Sequence, residues 1–332
     1  MKHRAWICSE LCNDFSGLRL ETHDARPCAT GEVRVQVRAA ALNFPDLLMA
    51  QGKYQHRPPL PFVAGMECAG EVVEVVEAGA DRPWPRVGDA VCYSAHAGAF
   101  TEELLAPAAS LHPVPQGFDM AEGASYGVAA LTAWVALVRR GELQRGQTLL
   151  VHGASGGTGL AAVQLGLHLG AIVIATGSSA QKLQAARAAG AAHTLVVAPG
   201  AKGLSDAVKA LTGGHGADVV FDPVGGDLFD ASTHCTAWGG RLLVVGFASG
   251  RIASVPSNLP LIKGFAVVGV RAGEYGRRDP QRGAQNRQAV QALAAQGLFR
   301  PHIGARFTFE QLPRAYRAMA ERRVAGKIII EI

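Results

Sequence analysis

Two textures follow one another along the chain. Up to about residue 125, short segments alternate apolar and polar positions with a period of two. Examples are Glu32-Val33-Arg34-Val35-Gln36-Val37-Arg38 and Gly70-Glu71-Val72-Val73-Glu74-Val75-Val76. Alternation of this kind predicts half-buried strands, one face to a core and one to water. Pro58, Pro59, Pro61, Pro83, Pro85, Pro107, Pro113 and Pro115 punctuate the segments as loops, because proline lacks the N–H that a strand interior needs. Residues 2–7 also read as a strand. The first third is therefore β-rich, with few helices.

From about residue 126 the pattern becomes apolar strands alternating with Ala-rich helices. Strands are expected over residues 148–152, 172–176, 193–197, 218–222, 241–245 and 265–270, and helices over 160–169, 181–189, 204–211 and 228–237. Continuous short apolar runs are the mark of strands buried on both faces, and regular alternation with helices implies right-handed crossovers in a parallel, doubly wound sheet. The tail adds helices over 286–296 and 310–321 and a last strand over 327–330.

Composition narrows the function classes. The 332 residues suit two domains, and 48% hydrophobic with 18% charged residues excludes a disordered chain. The net charge of +5 raises nucleic acid as a partner, but the arginines are spread out and aromatics are only 6%. No basic-aromatic platform forms, so no nucleic acid is expected. No apolar run is long enough to cross a bilayer uninterrupted, and the N-terminus lacks a signal-peptide core, so no membrane is expected and the cytoplasm is the expected location. The six cysteines, at 8, 12, 28, 68, 92 and 235, form no C-x-x-C pair. Reduced thiols are expected in place of a disulfide framework or a tetrahedral metal site.

The chemistry begins where the 148–152 strand runs into Gly153-Ala154-Ser155-Gly156-Gly157-Thr158-Gly159 and then a helix. Glycines let the backbone approach a diphosphate, and free N–H groups at a helix N-terminus meet its charge. Ala154, Ser155, Gly156, Gly157 and Thr158 are the expected contacts. After the second strand an NAD site usually carries an acid for the ribose 2′-hydroxyl. Here the chain reads Thr176-Gly177-Ser178-Ser179-Ala180-Gln181-Lys182, with no acid. Ser178, Ser179 and Lys182, with Gly177 at the strand end, are the expected site for a 2′-phosphate, which makes NADPH the expected cofactor. Ser178 or Ser179 as a helix cap, with Lys182 on a solvent face, accounts for the same residues, and both readings can hold together.

Several separated motifs now agree: Ala41-Leu42-Asn43-Phe44-Pro45-Asp46, Gly65-Met66-Glu67-Cys68-Ala69-Gly70, Val87-Gly88-Asp89-Ala90-Val91, Leu131-Thr132-Ala133-Trp134, the glycine turn, and Asp222-Pro223-Val224-Gly225-Gly226. Together they resemble, end to end, the zinc-independent quinone oxidoreductases of the medium-chain dehydrogenase/reductase superfamily. The resemblance implies an α/β fold: a Rossmann doubly wound parallel sheet over 126–270, plus a β-rich GroES-like catalytic domain over 1–125 and 271–332. Zinc-bearing relatives have cysteine at the position of Asn43 and His-Glu where this chain has Met66-Glu67. An amide and a thioether do not replace thiolate and imidazole on Zn²⁺, so no metal is expected. The resemblance further places Asn43 near the nicotinamide and the substrate carbonyl and Thr132 near the nicotinamide-side phosphate or ribose. It puts Phe247, Ala248 and Ser249 beside the nicotinamide and brings Arg322 to the cofactor; a plain surface arginine is the alternative for Arg322. Relatives often carry a tyrosine near the end of the third strand of the Rossmann unit; this chain has Val196-Val197. Relatives also pair along the edge of their Rossmann sheet, which implies a homodimer through the 265–270 strand.

With neither metal nor flavin motif, the expected reaction is direct hydride transfer from NADPH to a quinone or another α,β-unsaturated carbonyl (an enone). Asn43 is the expected donor to the acceptor oxygen. Tyr54 is a candidate donor or late proton source, and equally a packing residue at a loop. Asp46 is expected to orient the loop or Asn43, and His56, His96 and His112 are given no role. The rivals are a 2-enoyl thioester (enoyl-CoA) reductase on the same scaffold, and a cofactor-binding structural or RNA-associated relative with little turnover.

Overall fold

The computed structural model describes residues 2–76 and 84–332, so Pro83, expected in a loop, lies outside the described residues. The chain divides into two compact units, one formed by residues 1–128 and 303–332, the other by residues 129–302. In the first unit, β1 (Lys2–Cys8), β2 (Leu18–Asp24) and β4 (Phe62–Val63) form a small sheet ordered β2-β1-β4. A larger, seven-stranded sheet is built on β3 (Glu32–Leu42) and β5 (Glu67–Val75), with β6 (Ala90–Ser94), β7 (Glu103–Pro107) and β8 (Leu111–Pro113) beyond them. The C-terminal strands β15 (Ile303–Thr308) and β16 (Lys327–Glu331) complete it in the order β15-β16-β3-β5-β6-β8, with β7 also paired to β3. Gly70 of β5 faces β3, where a Cβ would lie 2.8 Å from Val37 Cα, so only glycine lets the two backbones pair at this point. Trp6, Val35, Phe100 and Tyr316 are among the buried side chains of this unit's core.

The second unit holds a parallel sheet of β9 (Thr148–Val151), β10 (Ile172–Gly177), β11 (His193–Val196), β12 (Ala217–Asp222), β13 (Thr236–Val244) and β14 (Ala266–Gly269). Its order, β11-β10-β9-β12-β13-β14, is the Rossmann order with the switch point between β9 and β12. All four residues of β9 are buried, as a strand covered on both faces requires. Ligands bind such sheets outside the carboxyl ends of the strands at the switch point, and the glycine turn lies there, between β9 and α3 (Gly157–His168). The expected fold, a Rossmann sheet with a β-rich GroES-like domain, is the one observed.

Four departures of the structure from the sequence reading are the largest. The first concerns a helix not expected at all. In chain order after α1 (Phe44–Ala50), α2 (Met120–Trp134) continues into a π-helical turn, Val135–Arg140. The combined helix Met120–Arg140 is long and apolar enough to cross a membrane by length and composition, although polar residues interrupt its apolar run, and 61% of its 18-residue apolar stretch is buried inside the protein. Glu122, Ser125 and Thr132 are scattered through it, so neither an unbroken apolar run nor a helical stripe shows in the sequence.

Second, α4 (Gln184–Ala188) is shorter than expected, whereas α5 (Leu204–Leu211) matches its expected span. Third, α6 (Asp227–Ser232) stops early because β13 begins at Thr236, five residues before the expected strand; Gly239 at φ +74 carries the irregularity within it. Fourth, residues 271–302 cluster with the dinucleotide unit, whereas the sequence reading grouped them with the β-rich domain. After α7 (Asn258–Lys263), α8 (Ala272–Arg278) and α9 (Pro280–Ala295) approach closely at two glycines, where a Cβ on Gly283 would lie 2.8 Å from Gly276 Cα. The buried Asn286 of α9 accepts hydrogen bonds from Trp134 Nε1 (3.2 Å) and Arg139 Nε (2.8 Å), tying the helix to this unit. The final helix, α10 (Leu312–Ala320), belongs to the first unit and follows the expected placement.

Candidate active site

In the dinucleotide unit, the glycine turn is shaped by contacts that only glycine permits. Gly153 has φ +58, and a Cβ on Gly159 would lie 2.8 Å from Ala154 Cα and collide with the Gly153 carbonyl. Gly156 caps α3 with extended backbone and no side-chain bond. The amides of Gly157, Thr158 and Gly159 occupy the first turn, where helix geometry supplies no acceptor. Ser155, Gly156, Gly157 and Thr158 are partly exposed. Ala154 differs from them: it is fully buried and its N–H donates to Thr176 O at 3.0 Å, so it shapes the turn and offers no free amide. The cradle fits a diphosphate.

Behind the turn, the buried ring of His152 lies 2.8 Å from Thr176 Oγ1 through Nδ1 and 2.7 Å from Ser232 Oγ through Nε2. Ser232 Oγ itself donates to Leu228 O at 2.7 Å. Its acceptor side is therefore left for an Nε2–H, and Nδ1 receives the Thr176 hydroxyl. Burial holds this imidazole below its ordinary value, against the pull of Asp222. A neutral ring thus ties the ends of β9 and β10 to α6.

At the end of β10, Gly177 is required because a Cβ would lie 2.9 Å from Leu183 Cδ2. Ser178 is exposed, Lys182 is half-buried, and Ser179 Oγ accepts from Lys182 N at 3.3 Å. Ser179 thus closes the turn that leads into α4, whose own N-cap, Leu183, makes no side-chain bond, and the Ser178 side chain lies at the surface. On the other side of the turn, Asp222 Oδ1 accepts from Val224 N (2.9 Å) and Gly225 N (2.8 Å). Ala248 N donates to Pro223 O and Ser249 N to Val224 O. A Cβ on Gly225 would lie 3.1 Å from Phe247 Cδ1, and one on Gly153 would lie 3.1 Å from Val224 Cγ2. The loop of Phe247, Ala248 and Ser249 is thereby fixed, through residues 222–226, beside the glycine turn. Thr132 sits half-buried on α2.

In the β-rich unit a second polar group is buried. Asn43 follows β3 and caps α1, Glu67 opens β5 and Lys327 opens β16. The registers Ala41↔Glu67 and Ile328↔Leu42 bring the three to one end of adjacent strands. Lys327 Nζ donates to Asn43 Oδ1 and to Glu67 Oε1, both at 2.7 Å. Asn43 Nδ2 donates to Glu67 Oε1 at 2.9 Å and to Ala41 O at 3.3 Å, and Val128 N donates to Glu67 Oε2 at 3.0 Å. Asn43, Glu67 and Lys327 are 7%, 1% and 4% exposed. A buried pair of this kind is tolerable only because each charge is met by its partner and by hydrogen bonds.

Asp46, also buried, accepts the Asn43 backbone N–H at 2.8 Å, as expected of a residue orienting that loop. Its other oxygen has no hydrogen-bond partner. Burial pushes this carboxyl up to about 8, opposed by the Asn43 N–H and by Lys327 and reinforced by Glu67. Tyr54 lies half-buried in the loop after α1, and His56 nearby stacks on His96 with centroids 4.1 Å apart. Arg322 is exposed and follows the C-cap of α10 at φ +54, a left-handed position usually given to glycine.

Zinc does not fit this group. Met66 and Asn43 stand at the positions of the metal ligands in zinc-bearing relatives, and the Lys327 ammonium already supplies a cation to Asn43 and Glu67. A second positive charge there would be repelled. Among the described residues, no cluster of three or more His, Cys, Asp or Glu gathers to hold a metal, and all six cysteines are free thiols. Sequence reasoning missed Lys327, Thr176, Ser232 and the structural use of His152, and took Glu67 only as part of a motif. The one available signal for Lys327 was a lysine opening an otherwise apolar strand, Lys327-Ile328-Ile329-Ile330.

A Rossmann sheet with a glycine cradle, joined in one chain to a GroES-like domain, defines a nicotinamide-dependent oxidoreductase of the medium-chain dehydrogenase/reductase class. Residues 29–116 match the family described as alcohol dehydrogenase GroES-like domain, and residues 157–295 the family described as zinc-binding dehydrogenase. The chain is 36% identical to quinone oxidoreductase-like protein 2 of Rattus norvegicus over 331 residues, covering 99% of this chain and 92% of the relative. It is 34% identical to a quinone oxidoreductase of Pseudomonas aeruginosa, covering 94% and 95% of the two chains. A mycobacterial protein solved in complex with NADPH superposes with a TM-score of 0.88 at 30% identity, covering 99% and 100% of the two chains. The chain belongs to the zinc-independent quinone oxidoreductase branch of that superfamily, and it is an NAD(P)H oxidoreductase acting on small molecules.

Proposed function

We propose that this protein is an NADPH-dependent reductase that delivers hydride to quinones or other α,β-unsaturated carbonyls, without metal or flavin. The observation that carries the cofactor preference is the end of β10. Ser178 and Lys182 stand beside a cradle of helix amides, and residues 176–182 carry no carboxylate to oppose a 2′-phosphate. The first-turn amides of α3 hold the diphosphate, and the 245–249 loop, fixed through residues 222–226, borders the nicotinamide. Bound NADPH supplies the hydride. As the electron pair moves onto the acceptor oxygen, Asn43 supplies the hydrogen bond that meets the charge. Its Nδ2–H toward Ala41, held at 3.3 Å, is the weaker of its two bonds and the one an acceptor oxygen placed beside the Ala41 carbonyl would share, with the amide itself staying in place. Thr132 and Arg322 complete the cofactor contacts in this reading, and Tyr54 serves enones, whose reduced oxygen needs a proton more than a hydroquinone anion does.

A homodimer through β14 forms part of the same proposal. β14 ends the sheet, and Trp238, Leu261 and Ile262 beside this edge are 78%, 80% and 67% exposed.

The test is a panel of quinones, enones and enoyl thioesters assayed with NADPH and with NADH. Turnover of quinones or enones with NADPH well above NADH is the expected result. Activity restricted to enoyl thioesters, abolished by Tyr54→Phe, would replace this reading by the thioester reductase. Absence of binding to either nucleotide would end it.

A further inference from the structure

A side-chain amide is nearly symmetric in shape, and a 180° flip exchanges a donor for an acceptor. An asparagine that must donate to a developing oxyanion therefore needs something to fix which end faces where. Each neighbour of Asn43 bears on that choice. Lys327 has only donors, and lies 2.7 Å from Oδ1. Glu67 is acceptor-only as a carboxylate, and lies 2.9 Å from Nδ2. The Ala41 carbonyl is also acceptor-only, and lies 3.3 Å from Nδ2. Flipping the amide would set nitrogen against ammonium and oxygen against carboxylate and carbonyl, three mismatches in a site closed to water. Glu67 is itself held by Val128 N at 3.0 Å and by Lys327 at 2.7 Å, so the frame around the amide is rigid.

We propose that Lys327 and Glu67 are positioning residues for hydride transfer: together they lock the Asn43 amide with its oxygen inward on the ammonium, so that an N–H and not a lone pair meets the acceptor oxygen. The inference rests on the reading of Asn43 as the donor. Lys327 reaches no reacting atom; it acts through Asn43. The lock also explains why a costly buried ion pair stands at this point of the sheet when a pair of apolar residues would serve the core as well.

The experiment is a double-mutant cycle on the full-length protein with a simple enone and NADPH. The variants are Asn43→Ala, the charge-balanced pair Lys327→Met with Glu67→Gln, and all three together. The melting temperature and NADPH affinity of each variant report fold and cofactor binding. The pair variant is expected to bind NADPH as the parent does and to lose kcat about 10–100-fold, less than the ~10²–10³ of an oxyanion donor removed outright. In the Asn43→Ala background the same pair is expected to change kcat by no more than about twofold, since the amide it orients is gone. A purely structural pair would cost the same in both backgrounds, and that outcome, or a folded pair variant with unchanged kcat, overturns the lock. Unchanged kcat in Asn43→Ala alone removes the donor reading itself, and the lock with it. Should the pair variant fail to fold, Glu67→Gln by itself, nearly identical in shape, carries the same two expectations and the same refutations.

Discussion

His152 and Thr176 meet at 2.8 Å between Nδ1 and Oγ1, joining the carboxyl ends of two neighbouring strands directly behind the glycine turn. The ring is fully buried and its pKa is lowered, chiefly by burial. The unfolded chain therefore binds a proton that the folded chain refuses, and stability falls as pH drops below about 6.5, the ordinary imidazole value. His152→Ala is expected to cost about 1–3 kcal/mol at neutral pH by removing a hydrogen-bond partner from each of two buried hydroxyls, and to flatten the decline between pH 7 and 5. Thermal melts of parent and variant across that range check both. Parallel curves would refute the assignment.

The turn itself tolerates no side chain at one position. Gly159→Ala places a Cβ against the Gly153 carbonyl and 2.8 Å from Ala154 Cα. We expect a destabilisation of about 1–3 kcal/mol from overpacking and a loss of affinity for both NADPH and NADH, read by quenching of protein fluorescence. Retention of parental affinity would detach the cradle from the cofactor.

Cofactor choice is expected to yield to a single charge. Lys182→Ala should weaken NADPH about tenfold, the equivalent of one charge-assisted contact, and leave NADH unchanged. Ser178→Asp should go further by repelling the 2′-phosphate. KM values for the two nucleotides measure the ratio, and an intact preference in Lys182→Ala would disprove the phosphate site.

Asp46 has the opposite titration behaviour to an ordinary carboxylate. Its folded-state value, pushed up to about 8 by burial, exceeds its unfolded value. The folded chain thus holds a proton that the unfolded chain loses, and this group's penalty on stability grows as pH rises from about 4 to about 8. Asp46→Asn removes that penalty, so its melting temperature should gain on the parent as pH increases through this window. A difference that stays constant with pH would show the carboxyl to be ionised throughout.

Val267→Lys, on the exposed edge strand β14, should leave the fold intact and shift the protein to monomer in sedimentation equilibrium, if the dimer forms along that edge. A parent that is already monomeric would remove the dimer.

The cofactor unit was largely legible in the sequence because its signals are local. Strand 148–152, the glycine turn and the helix after it are contiguous, and the missing acid after β10 lies within a few residues of the strand it follows. Helix α2 left no such trace, since a helix mostly buried around its surface has no polar face to set a period. The 271–302 segment was misplaced for a related reason: Asn286, Trp134 and Arg139 identify its unit only by meeting one another across some 150 positions of chain.

By itself the sequence determined the strand–helix alternation, the glycines that let backbone approach a phosphate, and the thioether and amide that disqualify a zinc site. Only the tertiary structure decided that Lys327, 284 residues after Asn43, closes a buried network with it and Glu67. Periodicity and motif spacing record a residue's relation to its chain neighbours. The pairing of a charge with its counter-charge is set by strand order and register, which long-range packing fixes.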